Sequence, residues 1–151
     1  MARPRAGDWL ADEIAGWRAA GIDIVVNLLE PLEIDELSSR QEAELYREKG
    51  MAVISFPIPD RGVPASVDDA ASLARALAAS IAEGKAVAVH CRAGIGRSSL
   101  IAAAVLVCTG TDPAAAFAMI GKARGTQVPD TEGQRDWVAA FRDATNGLLQ
   151  R

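Results

Sequence analysis

The chain has 151 residues, with 16 basic and 20 acidic side chains and a formal net charge of −4 at pH 7. At roughly 150 residues per domain, this length predicts a single domain over 1–151. Hydrophobic residues make up 50% of the chain and charged residues 24%, a balance that excludes collagen-like and broadly disordered chains. Without a strong basic field, we expect no nucleic-acid partner held by phosphate contacts.

The sequence also argues against membrane, secreted and metal-dependent classes. The longest apolar run, which ends at Cys108, is far shorter than the roughly 20 residues of a membrane span. Residues 1–10 lack the apolar core of a secretory signal. Two cysteines are too few for a disulfide framework, and the single histidine, His90, leaves no cluster of metal ligands. We therefore expect a cytoplasmic protein with no membrane span, no metal and no cofactor.

Helical spacing of apolar residues alternates with short β-branched runs along the chain. In chain order, these patterns predict helix 8–20, strand 22–29, helix 34–49, strand 51–58, helix 66–83, strand 85–90, helix 97–108, helix 112–122 and a last helix from about 132. The charges of helix 34–49 are expected to form a solvated face. Strands separated by helices predict a three-layer α/β fold, with a short, mostly parallel central sheet flanked by helices. Ligands of such sheets bind beyond the carboxyl ends of the strands, where Asp60 and Cys91 are expected to lie.

One stretch, Val89–Ser99, carries the chemistry and reads Val-His-Cys-Arg-Ala-Gly-Ile-Gly-Arg-Ser-Ser. It joins a predicted strand to a predicted helix, so loop N–H groups and the free N–H groups of the helix start can converge on one anion. Gly94 and Gly96 let the backbone approach such a ligand closely. Arg97 adds a planar, permanently charged fork that can bind two phosphoryl oxygens.

Cys91 is expected at the floor of this cradle. A helix N-terminus and nearby arginines lower the pKa of a thiol, and the Ser98 hydroxyl can donate to the resulting thiolate. Other phosphate loops fit badly: a Walker loop needs Gly at position 91 and Lys at 97, and a dinucleotide loop needs Gly at 99. The competing interpretation is that Cys91 and His90 are ordinary buried core residues.

The His-Cys-x5-Arg-Ser pattern of residues 90–98 resembles the signature loop of cysteine-dependent protein tyrosine phosphatases. Over a core of about 8–145 the chain resembles the small dual-specificity-like branch of that superfamily, and heavy use of alanine suggests a bacterial source. The resemblance implies a phosphatase-like fold, Cys91 as nucleophile, Ser98 as its hydroxyl partner and His90 as a supporting residue. It also implies that the phosphate is bound by Arg92, Ala93, Gly94, Ile95, Gly96 and Arg97.

The resemblance implies two further site residues. The family carries its general acid on a loop after the preceding strand, and Asp60 fits this place, 31 residues before Cys91. The alternative is that Asp60 only forms a turn with Gly62. Tyrosine phosphatases often position the hydrolytic water with a glutamine on a distal loop, and Gln134 matches that place. The family usually has an edge hairpin near its start, but no strand is predicted before residue 8.

Together these features predict a phosphomonoesterase that works through a phosphocysteine intermediate. The substrate would be a phosphorylated protein or small phosphate ester, with phosphotyrosine favoured by the small apolar loop interior and phosphoserine or phosphothreonine also possible. A phosphoinositide or inositol phosphate stays open, because Arg92 could serve a polyanion. A rhodanese-type sulfurtransferase usually has a tighter loop than the one that separates Cys91 from Arg97, and a non-catalytic binding module usually loses one of the three key residues. The sequence gives no oligomeric state.

Overall fold

The structure, a computed structural model, describes residues 1–149. A short 3-10 turn at Gly7–Trp9 precedes the first helix. The helices and strands are α1 (Leu10–Ala19), β1 (Ile22–Asn27), α2 (Pro31–Glu36), α3 (Glu42–Glu48), β2 (Ala52–Ser55), α4 (Val67–Ala82), β3 (Ala86–His90), α5 (Arg97–Cys108), α6 (Pro113–Arg124) and α7 (Glu132–Leu149).

The three strands form one parallel sheet in the order β2-β1-β3. Asn27, the last residue of β1, pairs with Ser55 of β2 on one side and with His90 of β3 on the other. All three carboxyl ends therefore meet at one edge, from which the loops that contain Asp60 and Cys91 leave the sheet. This arrangement confirms the predicted α/β fold with a short parallel sheet.

Helices cover both faces of the sheet and enclose two separate apolar cores. On one face, α1 and α3 bury a small core formed by Leu10, Ile14, Val25, Tyr46 and Met51. On the other face, α4 to α7 bury the larger core, and nine of the twelve residues of α5 are buried at its centre. None of the helices within residues 1–149 combines the length and the apolar composition needed to cross a bilayer.

The prediction of one amphipathic helix over 34–49 is wrong. The chain forms α2 and α3 instead, and it turns between them at residues 37–41, where Ser38 adopts a φ of 53°. Helix α2 begins early because Pro31 occupies its first position and a capping box links Glu30 to Glu33. The charges do not all face solvent either, since Glu42 is only 1% exposed.

No edge hairpin forms before residue 8 in the described chain. The first residues make only an isolated parallel bridge between Ala2 and Cys91, in which the Cys91 N–H donates to the Met1 carbonyl at 3.3 Å. The site loop therefore has the first two residues of the chain against its back.

Candidate active site

The loop from Cys91 to Gly96 links the end of β3 to the start of α5. Cys91 is 3% exposed, and the Gly94 N–H donates to its Sγ at 3.3 Å. Gly94 has a φ of +74°, and an added Cβ would lie 2.3 Å from the Ala2 backbone nitrogen, so only glycine fits here. The loop is thus wrapped around the thiol, as the motif predicts.

Hydrogen bonds make Cys91 an acidic thiol. Its burial raises the pKa, but hydrogen bonds from the Ser98 hydroxyl, the Ser98 N–H and the Gly94 N–H, together with the charge of Arg97, outweigh this effect. The Ser98 Oγ lies 3.4 Å from the Cys91 Sγ. The pKa of Cys91 is therefore below that of an ordinary thiol, and the thiolate is the form that attacks an electrophile.

Arg97 is 2% exposed and is held by a bidentate ion pair with Glu33. Its Nη1 lies 2.6 Å from Glu33 Oε2, and its Nη2 lies 2.9 Å from Glu33 Oε1. Nη1 also donates to the Ile58 carbonyl at 2.9 Å. Burial lowers the pKa of Arg97, but the hydrogen bond to Glu33 and the nearby negative charges raise it above its usual value, so the fork stays charged.

Glu33 is a site residue that the sequence analysis missed. It lies on the first turn of α2, where its Oε2 also accepts the Glu30 N–H at 2.9 Å. Burial raises the pKa of Glu33, but hydrogen bonds from Arg97 and Glu30 outweigh this and lower it, so the carboxylate stays ionised. The sequence signal was the Glu-Pro-x-Glu pattern of 30–33, which is typical of a capped helix start.

Asp60 projects from the loop after β2 toward the same guanidinium. Its Oδ1 accepts from Arg97 Nη2 at 3.2 Å, while 59% of its side chain remains exposed. The turn expected as the alternative is also present, because the Gly62 N–H donates to the Pro59 carbonyl at 2.8 Å. Asp60 therefore combines a tight turn with a carboxylate next to Cys91 and Arg97.

A cavity of about 260 Å³ opens above the thiol. It is lined by Asp60, Arg61, Cys91, Arg92, Ala93, Ile95, Gly96, Arg97 and Asp130. The two rim arginines are each matched by a carboxylate: Arg61 Nη1 lies 3.2 Å from Asp130 Oδ2, and Arg92 Nη2 lies 3.4 Å from Glu36 Oε2. The Arg92 side chain is thus directed to α2.

His90 lies on the opposite face of the sheet from Cys91, as expected for neighbours in a strand. Its Nε2 is 2.7 Å from the Oε1 of the buried Glu42, and the Tyr46 hydroxyl donates to the same oxygen at 2.9 Å. Burial, with the charge of Glu42, raises the pKa of Tyr46 far above its usual range. His90 therefore supports the strand end from behind and does not face the cavity.

Gln134, on the first turn of α7, is fully buried and does not line the cavity. Its Oε1 accepts the N–H groups of Asp130 and Thr131 at 3.1 and 3.2 Å, and its Nε2 donates to the Gly62 carbonyl at 3.1 Å. Both polar atoms are thus engaged with loop backbone. The structure brings Cys91, Ser98, Arg97 and Asp60 together, whereas Gln134 lies behind them.

Similar proteins share this fold. The Cyclin-dependent kinase inhibitor 3 of Rattus norvegicus is 29% identical over 108 residues, which are 70% of this chain and 50% of the rat protein. The chain therefore spans about half the length of that relative. The crystal structure of kinase associated phosphatase with its catalytic-site cysteine substituted by serine superposes with a TM-score of 0.86 at 21% identity, covering 95% of this chain and 84% of that one.

A further structure, PTPMT1 in complex with PI(5)P, superposes with a TM-score of 0.77 at 18% identity, covering 98% of this chain and 91% of that one. At such identities the likeness shows the fold. The family described as "Polymorphic toxin system, DSP-PTPase phosphatase" matches residues 1–111, a range that includes Asp60, Cys91 and Arg97 and ends before Gln134. On this match over most of its length, the chain belongs to that family of DSP-PTPase phosphatases.

Proposed function

We propose that the protein is a phosphomonoesterase that hydrolyses phosphotyrosine through a phosphocysteine intermediate. The observation that carries this proposal is the buried, acidified Cys91 thiol beside the Arg97 guanidinium, whose fork Glu33 holds in place. A free structural cysteine needs neither the three hydrogen bonds nor the nearby cation.

In the first step, the Cys91 thiolate attacks phosphorus, the S–P bond forms, and the P–O bond to the leaving group breaks. Arg97 and the loop N–H groups bind the equatorial oxygens, on which charge is concentrated in the transition state. Asp60 gives its proton to the leaving oxygen. A bound phosphoryl group would take the Arg97 Nη2 position that Asp60 occupies here, which frees the carboxyl to face the leaving group.

In the second step, water attacks the phosphocysteine, the S–P bond breaks, and Asp60 takes up the water proton. The Ser98 hydroxyl, 3.4 Å from Sγ, stabilises the thiolate that leaves. The second step thus regenerates the Cys91 thiolate and the protonated Asp60 that the first step consumed, so the proposed cycle needs no cofactor.

Phosphotyrosine is supported by the cavity wall and rim. Ala93 and Ile95 offer apolar surface to an aryl group, and both rim arginines are already paired with carboxylates, so the rim offers little unmatched positive charge to a polyanion. The second candidate is a phosphoinositide or inositol phosphate, because Arg61 and Arg92 remain exposed and could exchange partners. PTPMT1, which shares the fold, was crystallised in complex with PI(5)P. Cytoplasmic location remains a prediction.

The nucleophile is tested by Cys91→Ser. This variant should lose p-nitrophenyl phosphate turnover by at least about 10³-fold and still bind vanadate, since Arg97 and the loop N–H groups remain. Cys108→Ser, at the other end of α5, is the matched control and should keep wild-type turnover. Retention of more than a few per cent of activity in Cys91→Ser would exclude the covalent mechanism.

Substrate class is tested by kcat/KM on a phosphotyrosine peptide, a phosphoserine peptide and a soluble phosphoinositide, with thiosulfate plus cyanide as the sulfurtransferase assay. The phosphotyrosine peptide should give the highest value. A phosphoinositide value ten times larger would replace phosphotyrosine by the second candidate.

A further inference from the structure

Three loops meet at the Gln134 side chain. They are the acid loop (residues 59–62), the phosphate loop (91–96) and the entry loop that leads into α7 (128–131). Gln134 has no solvent exposure. The resemblance implied that this glutamine positions the hydrolytic water, but its contacts connect loops instead.

The first set of contacts fixes the start of α7. Gln134 Oε1 accepts the N–H groups of Asp130 and Thr131, and the Gln134 N–H donates back to Thr131 Oγ1 at 3.1 Å. These reciprocal bonds satisfy donors that a helix N-terminus leaves free. They also fix the direction of the amide, so that Nε2 points away from the helix.

The second contact reaches the acid loop. Gln134 Nε2 donates to the Gly62 carbonyl, 72 residues earlier in the chain. Gly62 closes the same turn that presents Asp60. An ion pair between Arg61 and Asp130 also connects the acid loop to the entry loop.

The third contact is with the phosphate loop. A Cβ added at Gly96 would lie 2.9 Å from both polar atoms of the Gln134 amide and from Asp130 Cβ. The amide therefore lies directly against the backbone of the residue that precedes Arg97, and through it the acid loop is held against the phosphate loop.

We propose that Gln134 is a positioning residue that clasps the acid loop to the phosphate loop, so that Asp60 stays within reach of the leaving oxygen. This inference rests on the proposed function, because it assigns Gln134 to the step in which Asp60 donates its proton. A glutamine that positions water would act only in the later hydrolysis of the phosphocysteine.

The two roles separate in kcat/KM, which reports events up to the first irreversible step and is blind to the hydrolysis of the intermediate. Loss of the clasp lowers kcat/KM for a poor leaving group, such as phenyl phosphate, at least about tenfold more than for p-nitrophenyl phosphate, since a general acid contributes roughly 10²–10⁴-fold where protonation is needed. Loss of a water-positioning group leaves both values unchanged and produces a burst of product in rapid mixing.

The variants are Gln134→Met, which keeps the packing and loses every side-chain hydrogen bond, and Gln134→Glu, which keeps an acceptor for the α7 start and loses the amide donor to Gly62. Gln127→Ala, an exposed glutamine close to the entry loop, is the control and should resemble wild type. Amide hydrogen exchange over 59–62 adds a readout that needs no turnover: exchange should rise in both Gln134 variants and stay unchanged in Gln127→Ala.

Unequal losses on the two esters with faster exchange in 59–62 support the clasp. A burst with unchanged kcat/KM, equal losses on both esters, or unchanged exchange overturns it. If wild type fails to turn over any phosphate ester, or Cys91→Ser stays active, the proposed function fails, and the exchange measurement still decides whether Gln134 holds the acid loop.

Discussion

At the end of β3, the two faces of the sheet differ in how completely their buried charged groups are hydrogen-bonded. On the Cys91 face, the Arg97 guanidinium meets both oxygens of Glu33 and the Ile58 carbonyl. On the His90 face, the ring Nδ1 and Glu42 Oε2 have no hydrogen-bond partner among residues 1–149, and Nε2 lies close to Oε1 but outside the direction of a ring N–H bond.

The Cys91 face is therefore preorganised, whereas the His90 face is a supporting cluster with some of its polar atoms unpaired among the described residues. A buried polar network becomes rigid when every polar group has a hydrogen-bond partner, and it is destabilised when some groups have none. The Cys91 face is therefore expected to be sensitive in chemistry and in folding to the loss of a single partner. The His90 face should respond in folding alone, and less strongly.

Asp60→Asn gives the largest expected effect on the Cys91 face. For a poor leaving group kcat should fall by roughly 10²–10⁴-fold, because the amide cannot donate the proton. The loss on p-nitrophenyl phosphate should be much smaller, since that leaving group departs without protonation. Steady-state rates on both esters measure this, and an equal loss on both would move the acid role to another residue.

Glu33→Gln and Glu42→Gln test the comparison directly. Glu33→Gln leaves the buried Arg97 with an amide oxygen in place of a charged carboxylate and removes one of its two acceptors, so the free energy of unfolding should fall by about 3 kcal/mol. Removing the charge of Glu42 leaves an amide oxygen for Tyr46 and should cost only about 1 kcal/mol. Urea denaturation of the two variants measures the gap. A larger loss for Glu42→Gln would invert the order of the two faces.

The pH dependence of Cys91 sharpens the comparison further. Because hydrogen bonding lowers the pKa of Cys91, thiolate is present below the usual range for a thiol and is lost as pH falls through that lowered pKa. Ser98→Ala removes the largest lowering contribution, so the pH profile of the alkylation rate by iodoacetate should be displaced to higher pH. An unchanged profile would assign the acidity to the Gly94 and Ser98 N–H groups and Arg97 alone.

Tyr46→Phe should have the smallest effect on catalysis. It removes one hydrogen bond to Glu42 and should lower the free energy of unfolding by about 1–2 kcal/mol, with no selective loss on poor leaving groups. Denaturation and the two-ester comparison measure both effects in one variant. A marked dependence on leaving group would show that the His90 face takes part in the chemistry.

The sequence predicted the strand, loop and helix around Cys91 because the motif and the apolar pattern are local. It failed over 34–49, where the spacing of Leu37, Leu45 and Tyr46 resembles one helix but the capped start at Pro31 moves the first helix upstream. A turn with a positive φ at Ser38 then separates the two helices.

The carboxylate partners of Arg97 and His90 could not be predicted from the sequence, for a different reason. Glutamates are normally solvated, so nothing in the sequence marks Glu33 or Glu42 as buried until Arg97 and His90 are placed beside them. The family likewise suggested a role for Gln134, but the direction of its amide depends on Gly62, which only the tertiary structure brings into contact.

The capping box of α2 has a consequence for how this protein can vary. Glu33 accepts the Glu30 N–H at the helix start through Oε2 and binds the Arg97 guanidinium through both of its oxygens. Helix nucleation and ligand affinity therefore share one side chain, and substitutions at position 33 cannot tune one without the other. Across a set of variants at position 33, phosphate affinity and the local stability of residues 30–36 should rise and fall together.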